Sequence, residues 1–210
     1  MSENGRRALV RLSAALAAGE RVGWIEALRS AIDEAPPKAV EESLLQSYLF
    51  LGFPAALTAL GDWRHLTGKR PTSEPADYAS NMEEWGERGE VVCREVYGRA
   101  YEKLRGNVRR VHPAMDDWMI REGYGKVLSR DGLDLATREL CIVAILAATG
   151  WEPQLHSHLR GALHVGCSHS AVEHALEEGI ATTTDEAWRD RARSLWRRVR
   201  DRSQELLEQR

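Results

Sequence analysis

The feature that most constrains the fold is an uninterrupted apolar run. Residues 140–148 are nine apolar residues in a row, with Asp134 and Gly150 where a helix around them would begin and end. An amphipathic surface helix carries polar residues every few positions, so this helix is expected to be buried on all sides. Other helices must then surround it, which favours a core of packed helices.

Helical spacing of apolar residues continues through the rest of the sequence. The alternation typical of a β-strand does not occur in any convincing segment. Glycines stand at several predicted helix ends and prolines at several predicted starts. The predicted fold class is therefore all-α, built of packed helical hairpins. The predicted helices cover approximately residues 5–18, 22–34, 38–51, 54–65, 81–104, 113–126, 134–148, 153–165, 169–179 and 185–208.

The composition is that of an ordinary globular chain. Of 210 residues, 43% are hydrophobic and 29% are charged, and the net charge is −3. Basic residues are interleaved with acidic ones, so neither nucleic acid nor a membrane is an expected partner. No apolar run approaches the roughly 20 residues of a membrane span, and no secretory signal pattern is present. The three cysteines are far apart and form no Cys-x-x-Cys pair, which favours a reducing, cytoplasmic location.

A faint internal repeat divides the chain into two lobes. Residues 7–19 align with residues 138–150 at an offset of 131, and 39–41 align with 171–173 at an offset of 132. Chance similarity between two helical hairpins is the alternative to a duplication. The predicted divisions are an N-terminal helical lobe at 1–66, a linker at 67–80, a helical domain at 81–183 and a charged C-terminal helix at 184–210.

Two helices in the second lobe carry the candidate catalytic residues. Glu139 comes just before the apolar run, where the positive end of the helix favours the carboxylate and burial opposes it. His158 lies on the next helix, and an imidazole that titrates near pH 6.5 can both give and accept protons. The corresponding residues of the first lobe are Ala8 and Ala27. Acid–base chemistry is therefore expected in the second lobe alone, although a histidine that only packs in the core is an alternative.

Several side chains near this pair are candidates for substrate binding. Arg160 and Arg138 could hold an anionic substrate, because a guanidinium grips a carboxylate through two parallel hydrogen bonds. The alternative is that one of them forms a structural ion pair with Glu139. The remaining candidates for the pocket are Gln154, Tyr124 and Trp151, while Trp118 is expected to pack in the core.

Neither a metal nor an organic cofactor is predicted. Five histidines fall between residues 156 and 174, but no two of them have the i,i+4 spacing of helical metal ligands. His156 and His158 lie about 200° apart around a helix, so they do not converge on one ion. Cys141 lies within the apolar run, where a thiol is expected to be buried and inert.

Three segments resemble the carboxymuconolactone decarboxylase and alkyl hydroperoxidase D-like family. They are Tyr124–Asp134, Thr137–Leu140 and Gln154–Ala162, the last containing His-x-Arg-Gly-Ala. The resemblance covers about residues 97–180 and implies packed helical hairpins that assemble into trimers or hexamers, or into dimers if two repeats are fused. Leu44–Leu57 resembles a segment that normally follows the histidine helix. Here it precedes that helix, as in a permuted or internally duplicated arrangement.

The family has a peroxidase branch and a decarboxylase branch. The peroxidase branch uses a Cys-x-x-Cys pair, at positions held here by Trp151 and Gln154, together with a glutamate and a histidine that match Glu139 and His158. Without the two cysteines, a thiol peroxidase mechanism lacks its nucleophile. The decarboxylase branch lacks the cysteines and removes a carboxylate from a small lactone without metal or cofactor. Gln154 departs from that branch, which often has an acidic residue there.

The resemblance and the residues together favour a cofactor-independent lyase that acts by acid–base chemistry on a small carboxylate or lactone. His158, assisted by Glu139, would supply a proton, and Arg160 with Arg138 would hold the carboxylates. One alternative is an alkyl hydroperoxidase D-like protein with peroxiredoxin activity that depends on Cys141. Another is a non-catalytic helical oligomer that binds a ligand. The expected partners are a small anionic substrate and further copies of the chain.

Overall fold

The computed structural model of the chain describes residues 1–70 and 78–208, with side chains described for 1–70 and 81–205. No β-strand occurs in the described ranges, and the predicted all-α fold class is confirmed. The helices are α1 (Glu3–Ala18), α2 (Arg21–Glu34), α3 (Pro37–Thr67), α4 (Tyr78–Tyr97), a 3₁₀ turn (Gly98–Ala100), α5 (Tyr101–Val111), α6 (Pro113–Trp118), a π-helical stretch (Met119–Leu128), α7 (Leu135–Thr149), α8 (Glu152–His164), α9 (His169–Ile180) and α10 (Glu186–Glu208).

Helix α7 lies at the centre of the core. Every residue from Thr137 to Ala147 is buried, as the uninterrupted apolar run predicts. Helices α1, α3, α8 and α9 pack against it. The fully buried side chains that these neighbours contribute include Leu9, Leu12, Leu44, Leu155, Leu159, Val172 and Leu176.

Capping residues set the ends of α7 and therefore the direction of α8. The Thr137 amide donates a hydrogen bond of 2.9 Å to the Asp134 carboxylate at the start of α7. Gly150 ends the helix in the left-handed conformation, with φ at 80°, which glycine adopts without a steric penalty. This turn allows α8 to pack against α7 after two residues.

The helix positions repeat at the offset seen in the sequence. Adding 131 to the bounds of α1 and α2 gives residues 134–149 and 152–165, within one residue of α7 and α8. Gly19 ends α1 with φ at 80°, as Gly150 ends α7. The two lobes also pack together within the chain, since Arg6 Nε donates to Thr137 Oγ1 at 3.2 Å. An origin by duplication remains a prediction.

Helix α3 is broken at Gly52, whose φ of 80° and ψ of 169° are not helical. The sequence predicted two helices here, at 38–51 and 54–65.

By length and composition α3 reaches the threshold of a membrane span, with a mean hydropathy of 1.4 over 18 residues. The expectation that no apolar segment approaches this length therefore needs correction. The break disfavours a continuous span, because lipid leaves the freed backbone groups unsatisfied.

Around the break, α3 carries an apolar surface that the other described residues leave partly uncovered. Phe53 is 62% exposed and Leu57 is 64% exposed. Tyr48 stacks against Phe53 with ring centroids 5.0 Å apart. We call residues 48–57 the apolar elbow. Single exposed apolar residues are normal, but a contiguous group of this kind marks an interaction surface.

A close contact between glycines holds α4 against the π-helical stretch. A Cβ atom at Gly89 would overlap the Ile120 carbonyl, and one at Gly125 would overlap the Trp85 carbonyl. Glycine is required at both positions because the two backbones touch. This contact fixes the carboxyl end of α4 beside the core.

Three expectations differ from the structure. The predicted helix at 81–104 is divided into α4, the 3₁₀ turn and α5, and the one predicted at 113–126 becomes α6 and the π-helical stretch. Trp118 is 57% exposed rather than part of the core. The linker predicted at 67–80 falls largely on residues 71–77, outside the described part of the chain.

Candidate functional site

Glu139 and His158 meet where α7 packs against α8. The Nδ1 atom of His158 lies 2.9 Å from Oε2 of Glu139. Glu139 is completely buried and His158 is 8% exposed. An ionised carboxylate only accepts hydrogen bonds, so with Glu139 ionised Nδ1 carries the proton and Nε2 remains for another partner. The alternative ion pair of Glu139 with Arg138 or Arg160 does not occur in this structure.

The second oxygen of Glu139 is left without a partner. Its Oε1 atom is buried and has no hydrogen bond to any described group. An unsatisfied buried acceptor costs about 1–3 kcal/mol, and more when it is charged. Native proteins keep few such atoms, and those they keep often have a functional reason. Oε1 is therefore an acceptor available to a ligand or to a proton.

Aromatic side chains enclose the imidazole of His158. Its ring centroid lies 6.1 Å from that of Phe50, on α3, and 6.3 Å from that of Tyr97, at the end of α4. Tyr124 donates a hydrogen bond of 3.2 Å to the Tyr97 hydroxyl. Because Tyr97 accepts this bond, its own proton is free for another acceptor. Burial, helped by the charge of Glu139, raises the pKa of Tyr97, so the phenol stays protonated at neutral pH.

A groove of about 750 Å³ lies on the outer side of α8, between α5 and α10. Among the residues whose side chains are described, its cationic side chains are Lys103, Arg160, Arg198 and Arg202, and none of its lining residues is an aspartate or a glutamate. We call it the basic groove. His158 is not part of its wall, whereas Tyr97 is.

Gly161 lines the basic groove and also lies close to Glu139. A Cβ atom there would lie 2.9 Å from Oε2 of Glu139 and 2.7 Å from Cγ1 of Val96. A side chain at this position would displace one of these neighbours. Glycine therefore allows α8 to pack closely against both of them.

Comparison with known proteins identifies the region that contains the pair. Residues 113–197, from α6 into α10, match the carboxymuconolactone decarboxylase family. Over this region the chain is similar to that family. The resemblance drawn from the motifs is thus confirmed. The decarboxylase-family region includes Glu139, His158 and Gly161, whereas Tyr97 and Phe50 come from outside it.

Two curated relatives are similar to this chain. The chain is 27% identical over 137 residues to peroxisomal protein 2 of Schizosaccharomyces pombe, covering 63% of each chain. It is 29% identical over 97 residues to 4-carboxymuconolactone decarboxylase of Acinetobacter baylyi, covering 46% of this chain and 72% of the relative. The present chain therefore spans less than two thirds of the length of the Schizosaccharomyces pombe protein.

Arg160 and His158 face different sides of α8. Arg160 is exposed and lines the basic groove, whereas His158 points into the core. Residues two apart on a helix are separated by about 200°, which accounts for this arrangement. Arg160 can therefore hold an anion in the groove of the decarboxylase-family region. Arg160 shares the groove with Tyr97 and Gly161 and does not lie directly at the imidazole.

Arg138 is held in a buried network, which argues against its predicted contact with substrate. It is completely buried, and its Nη2 atom donates to Glu42 Oε2 at 3.0 Å. Other donors of the guanidinium are bound by the Gln46 side chain and the carbonyls of Leu133 and Arg130. An arginine whose donors are occupied in this way stabilises the fold. It is not presented to the groove or to His158.

The other predicted pocket residues lie around the pair at different depths. Tyr124 is buried behind Tyr97 and reaches the site only through that hydroxyl. Gln154 is exposed, and Trp151 is 58% exposed at the amino end of α8. Neither of these two lines the basic groove. The structure therefore does not bring Gln154 and Trp151 together with Arg160.

The thiols are poorly placed for redox chemistry. Burial raises the pKa of Cys141 to about 11 and the pKa of Cys93 and Cys167 to about 12. A thiol with such a pKa is almost entirely protonated at neutral pH, and the thiolate is the nucleophile. Within the described residues, no three histidine, cysteine or acidic side chains come together in a way that could hold a metal ion.

Sequence reasoning missed several residues of this site. Tyr97 and Phe50 come from helices outside the recognised motifs, so only tertiary packing reveals them. Lys103, Arg198 and Arg202 look in the sequence like solvated helix faces, because acidic residues alternate with them along the chain. The glycine of His-x-Arg-Gly-Ala was recognised as part of a motif, but its contact with Glu139 was not.

Proposed function

We propose that the chain is a carboxymuconolactone decarboxylase-like lyase that moves protons through Glu139 and His158 without a cofactor. The observation that carries this proposal is the buried contact of 2.9 Å between His158 Nδ1 and Glu139 Oε2, beside a groove that contains an arginine. A buried carboxylate orients the imidazole and stabilises its protonated form. The relative from Acinetobacter baylyi supports the same class of reaction.

The proposed reaction is the loss of carbon dioxide from a small carboxylate or lactone. The bond between the carboxylate carbon and the adjacent carbon breaks, and its electron pair remains on the substrate as an enolate-type anion. Nε2 of protonated His158 delivers a proton to that carbon, and the neutral imidazole regains a proton from water. Arg160 attracts the anionic substrate to the groove from the other face of α8, and Tyr97, which lines the groove and lies beside the imidazole, donates its proton to the developing oxyanion. Each group acts on one new charge or bond.

The test is carbon dioxide release from 4-carboxymuconolactone by the purified protein. We expect turnover that falls at least a hundredfold in His158→Gln, the usual contribution of a general acid. The exposed His65 on α3 provides a matched control, and His65→Gln should retain full activity. Arg160→Gln should raise KM more than it lowers kcat. Unchanged activity in His158→Gln would contradict the proposed role of the pair.

A peroxidase remains the second candidate function. It is supported by the resemblance to a family with a peroxidase branch and not by the placement of the thiols. The match to the decarboxylase family and the glutamate–histidine pair are common to both branches of the resemblance. A thiol mechanism would require Cys141 to ionise within the core. Thiol-dependent peroxide turnover that disappears in Cys141→Ser would favour this candidate over the lyase.

We also propose that the chain assembles into a homo-oligomer through the apolar elbow, residues 48–57. Its exposed Phe53 and Leu57 provide the uncovered apolar surface that such an interface needs. If no assembly and no turnover were found, a ligand-binding role in the basic groove would be the remaining candidate. A cytoplasmic location likewise stays a prediction. The name of the Schizosaccharomyces pombe relative places that protein in the peroxisome.

A further inference from the structure

The basic groove holds more positive charge than a small carboxylate needs. Lys103, Arg160, Arg198 and Arg202 contribute four cationic groups to its wall, and no acidic side chain of residues 1–70 or 81–205 lines it. Among the described residues, none of these four forms an ion pair within 4 Å; Arg198 donates only to the Ser194 hydroxyl, at 3.1 Å. Groups of like charge repel when they share a site, so a cluster without acids favours an anionic occupant.

The three arginines of the groove also act on a neighbouring histidine. His156 also lines the groove. Burial lowers the pKa of His156, and the charges of Arg160, Arg198 and Arg202 lower it further. The carboxylate of Glu152 acts in the opposite direction but more weakly. The three guanidinium groups therefore lie close enough together to act on the same imidazole, although they come from two helices.

The size of the groove also exceeds that of a small lactone. A volume of about 750 Å³ lies within the range of about 300–1,000 Å³ that holds molecules of drug or nucleotide size. Arg160 and Gly161 lie at one part of the wall, close to Glu139, whereas Arg198, Arg202 and Ser203 come from α10. One long ligand could therefore reach both parts.

We propose that the α10 side of the basic groove binds a phosphate or pyrophosphate group, and that the ligand is a phosphorylated small molecule. Arginine matches phosphate oxygens with two parallel hydrogen bonds, and a phosphate monoester carries about −1.5 to −2 charges at pH 7. The hydroxyl group of Ser203 on the wall adds a donor for the remaining oxygens. The orientation of the ligand rests on the proposed function: its reactive end lies toward Tyr97 and Gly161, and its phosphate lies toward α10.

The probe is inorganic pyrophosphate, titrated into the full chain by calorimetry at constant ionic strength. We expect saturable binding that is at least tenfold tighter than that of citrate, a carboxylate probe of similar charge. Arg198→Gln with Arg202→Gln should weaken pyrophosphate binding at least tenfold. Arg197 and Arg200 lie on the same helix but line a different surface pocket that includes acidic side chains. The double variant Arg197→Gln with Arg200→Gln therefore removes the same charge and should bind pyrophosphate as the native chain does.

Each contrary outcome overturns the phosphate site. Citrate binding as tight as pyrophosphate would show a general anion site, and equal losses in both double variants would show a nonspecific charge effect. Absence of pyrophosphate binding together with tight binding of a short oligonucleotide would point to nucleic acid instead.

A second readout is the NMR titration of His156, whose pKa should rise when pyrophosphate binds nearby. His158→Gln should bind pyrophosphate normally, so unchanged lyase activity in this variant with intact binding contradicts only the proposed function.

Discussion

Gly161 and Glu139 are neighbours across the contact between α8 and α7, and no side chain fits between them. A Cβ atom on Gly161 would lie 2.9 Å from Oε2 of Glu139, the same oxygen that binds His158. The glycine therefore allows α8 to pack closely against α7, and it leaves the carboxylate in contact with the imidazole.

Gly161→Ala should reduce activity more than it reduces stability. The added methyl must displace either Val96 or the Glu139 carboxylate, and overpacking of this kind typically costs about 1–3 kcal/mol. Turnover of 4-carboxymuconolactone and the free energy of unfolding in urea are the two measurements.

Gly61 is the control, because it is a helical glycine of α3 with nothing within 4 Å of its would-be Cβ. Gly61→Ala should leave turnover intact and stabilise by about 0.4–1 kcal/mol. A Gly161→Ala protein with native activity would show that the close contact does not matter for chemistry.

The buried pair of Glu42 and Arg138 should make the fold sensitive to acid. Burial raises the pKa of Glu42, but hydrogen bonds from Arg130, Lys38 and Arg138 outweigh it and hold the pKa below its ordinary value of 4.5. The stability that Glu42 contributes is present above pH 4.5 and is lost as the pH falls through the lower folded-state value. Thermal midpoints between pH 7 and pH 3 should show this loss.

Glu42→Gln should be destabilised at neutral pH and should lose less on acidification. Breaking a buried ion pair by removing one partner costs about 3–5 kcal/mol, because Arg138 is left without its counter-charge. Glu3→Gln, at an exposed pair with Arg6 and Arg7, should change little in the same assay. A parallel acid profile for Glu42→Gln and the native chain would exclude Glu42 as the source of the acid transition.

The three thiols should be slow to react in the folded chain. Cys141 is fully buried, and its pKa of about 11 leaves very little thiolate at pH 7.5. Ellman's reagent should label the native protein much more slowly than the protein unfolded in guanidinium chloride. Peroxide consumption with a dithiol reductant should not exceed the buffer rate, and Cys141→Ser should behave identically. Rapid labelling of Cys141 in the native protein would favour the peroxidase over the lyase.

Loss of apolar surface on the elbow should dissociate the proposed oligomer. Phe53→Ser with Leu57→Ser removes two side chains that are more than half exposed in the chain, so the fold itself should be nearly unaffected. Light scattering coupled to gel filtration should give a mass above the 23.6 kDa of one chain for the native protein and a lower mass for the variant. Val22→Ser, on exposed Val22 of α2, is the control and should keep the native mass. A native protein that elutes as a single chain at micromolar concentration would contradict the proposed interface.

The sequence predicts the secondary structure and the central pair more completely than it predicts the surrounding site. Helical period, glycine stops and the apolar run are local signals, so α7, α8 and α9 were predicted within one or two residues. Glu139 and His158 could be paired because α7 and α8 form a single hairpin. The elements of the groove were not predictable in the same way, since α10 meets α5 and α8 only through tertiary packing.

Arginine illustrates the limit of such reasoning. Arg138 and Arg160 look equally suited to an anion in the sequence, yet one is buried against Glu42 and the other lines the groove. Their difference depends on α3, about 90 residues earlier in the chain, which supplies the glutamate. Trp118 shows the opposite case. A large apolar side chain predicts packing in the core of its own chain, but Trp118 is exposed.

The break in α3 gives one helix two neighbouring roles. Phe50 lies just before Gly52 and touches the imidazole of His158, whereas Phe53 lies just after it on the uncovered surface. Any second copy that settles on this surface also restrains the aromatic ring beside the imidazole. Specific activity would then depend on protein concentration. The turnover rate per chain would be lower in dilute enzyme than in concentrated enzyme.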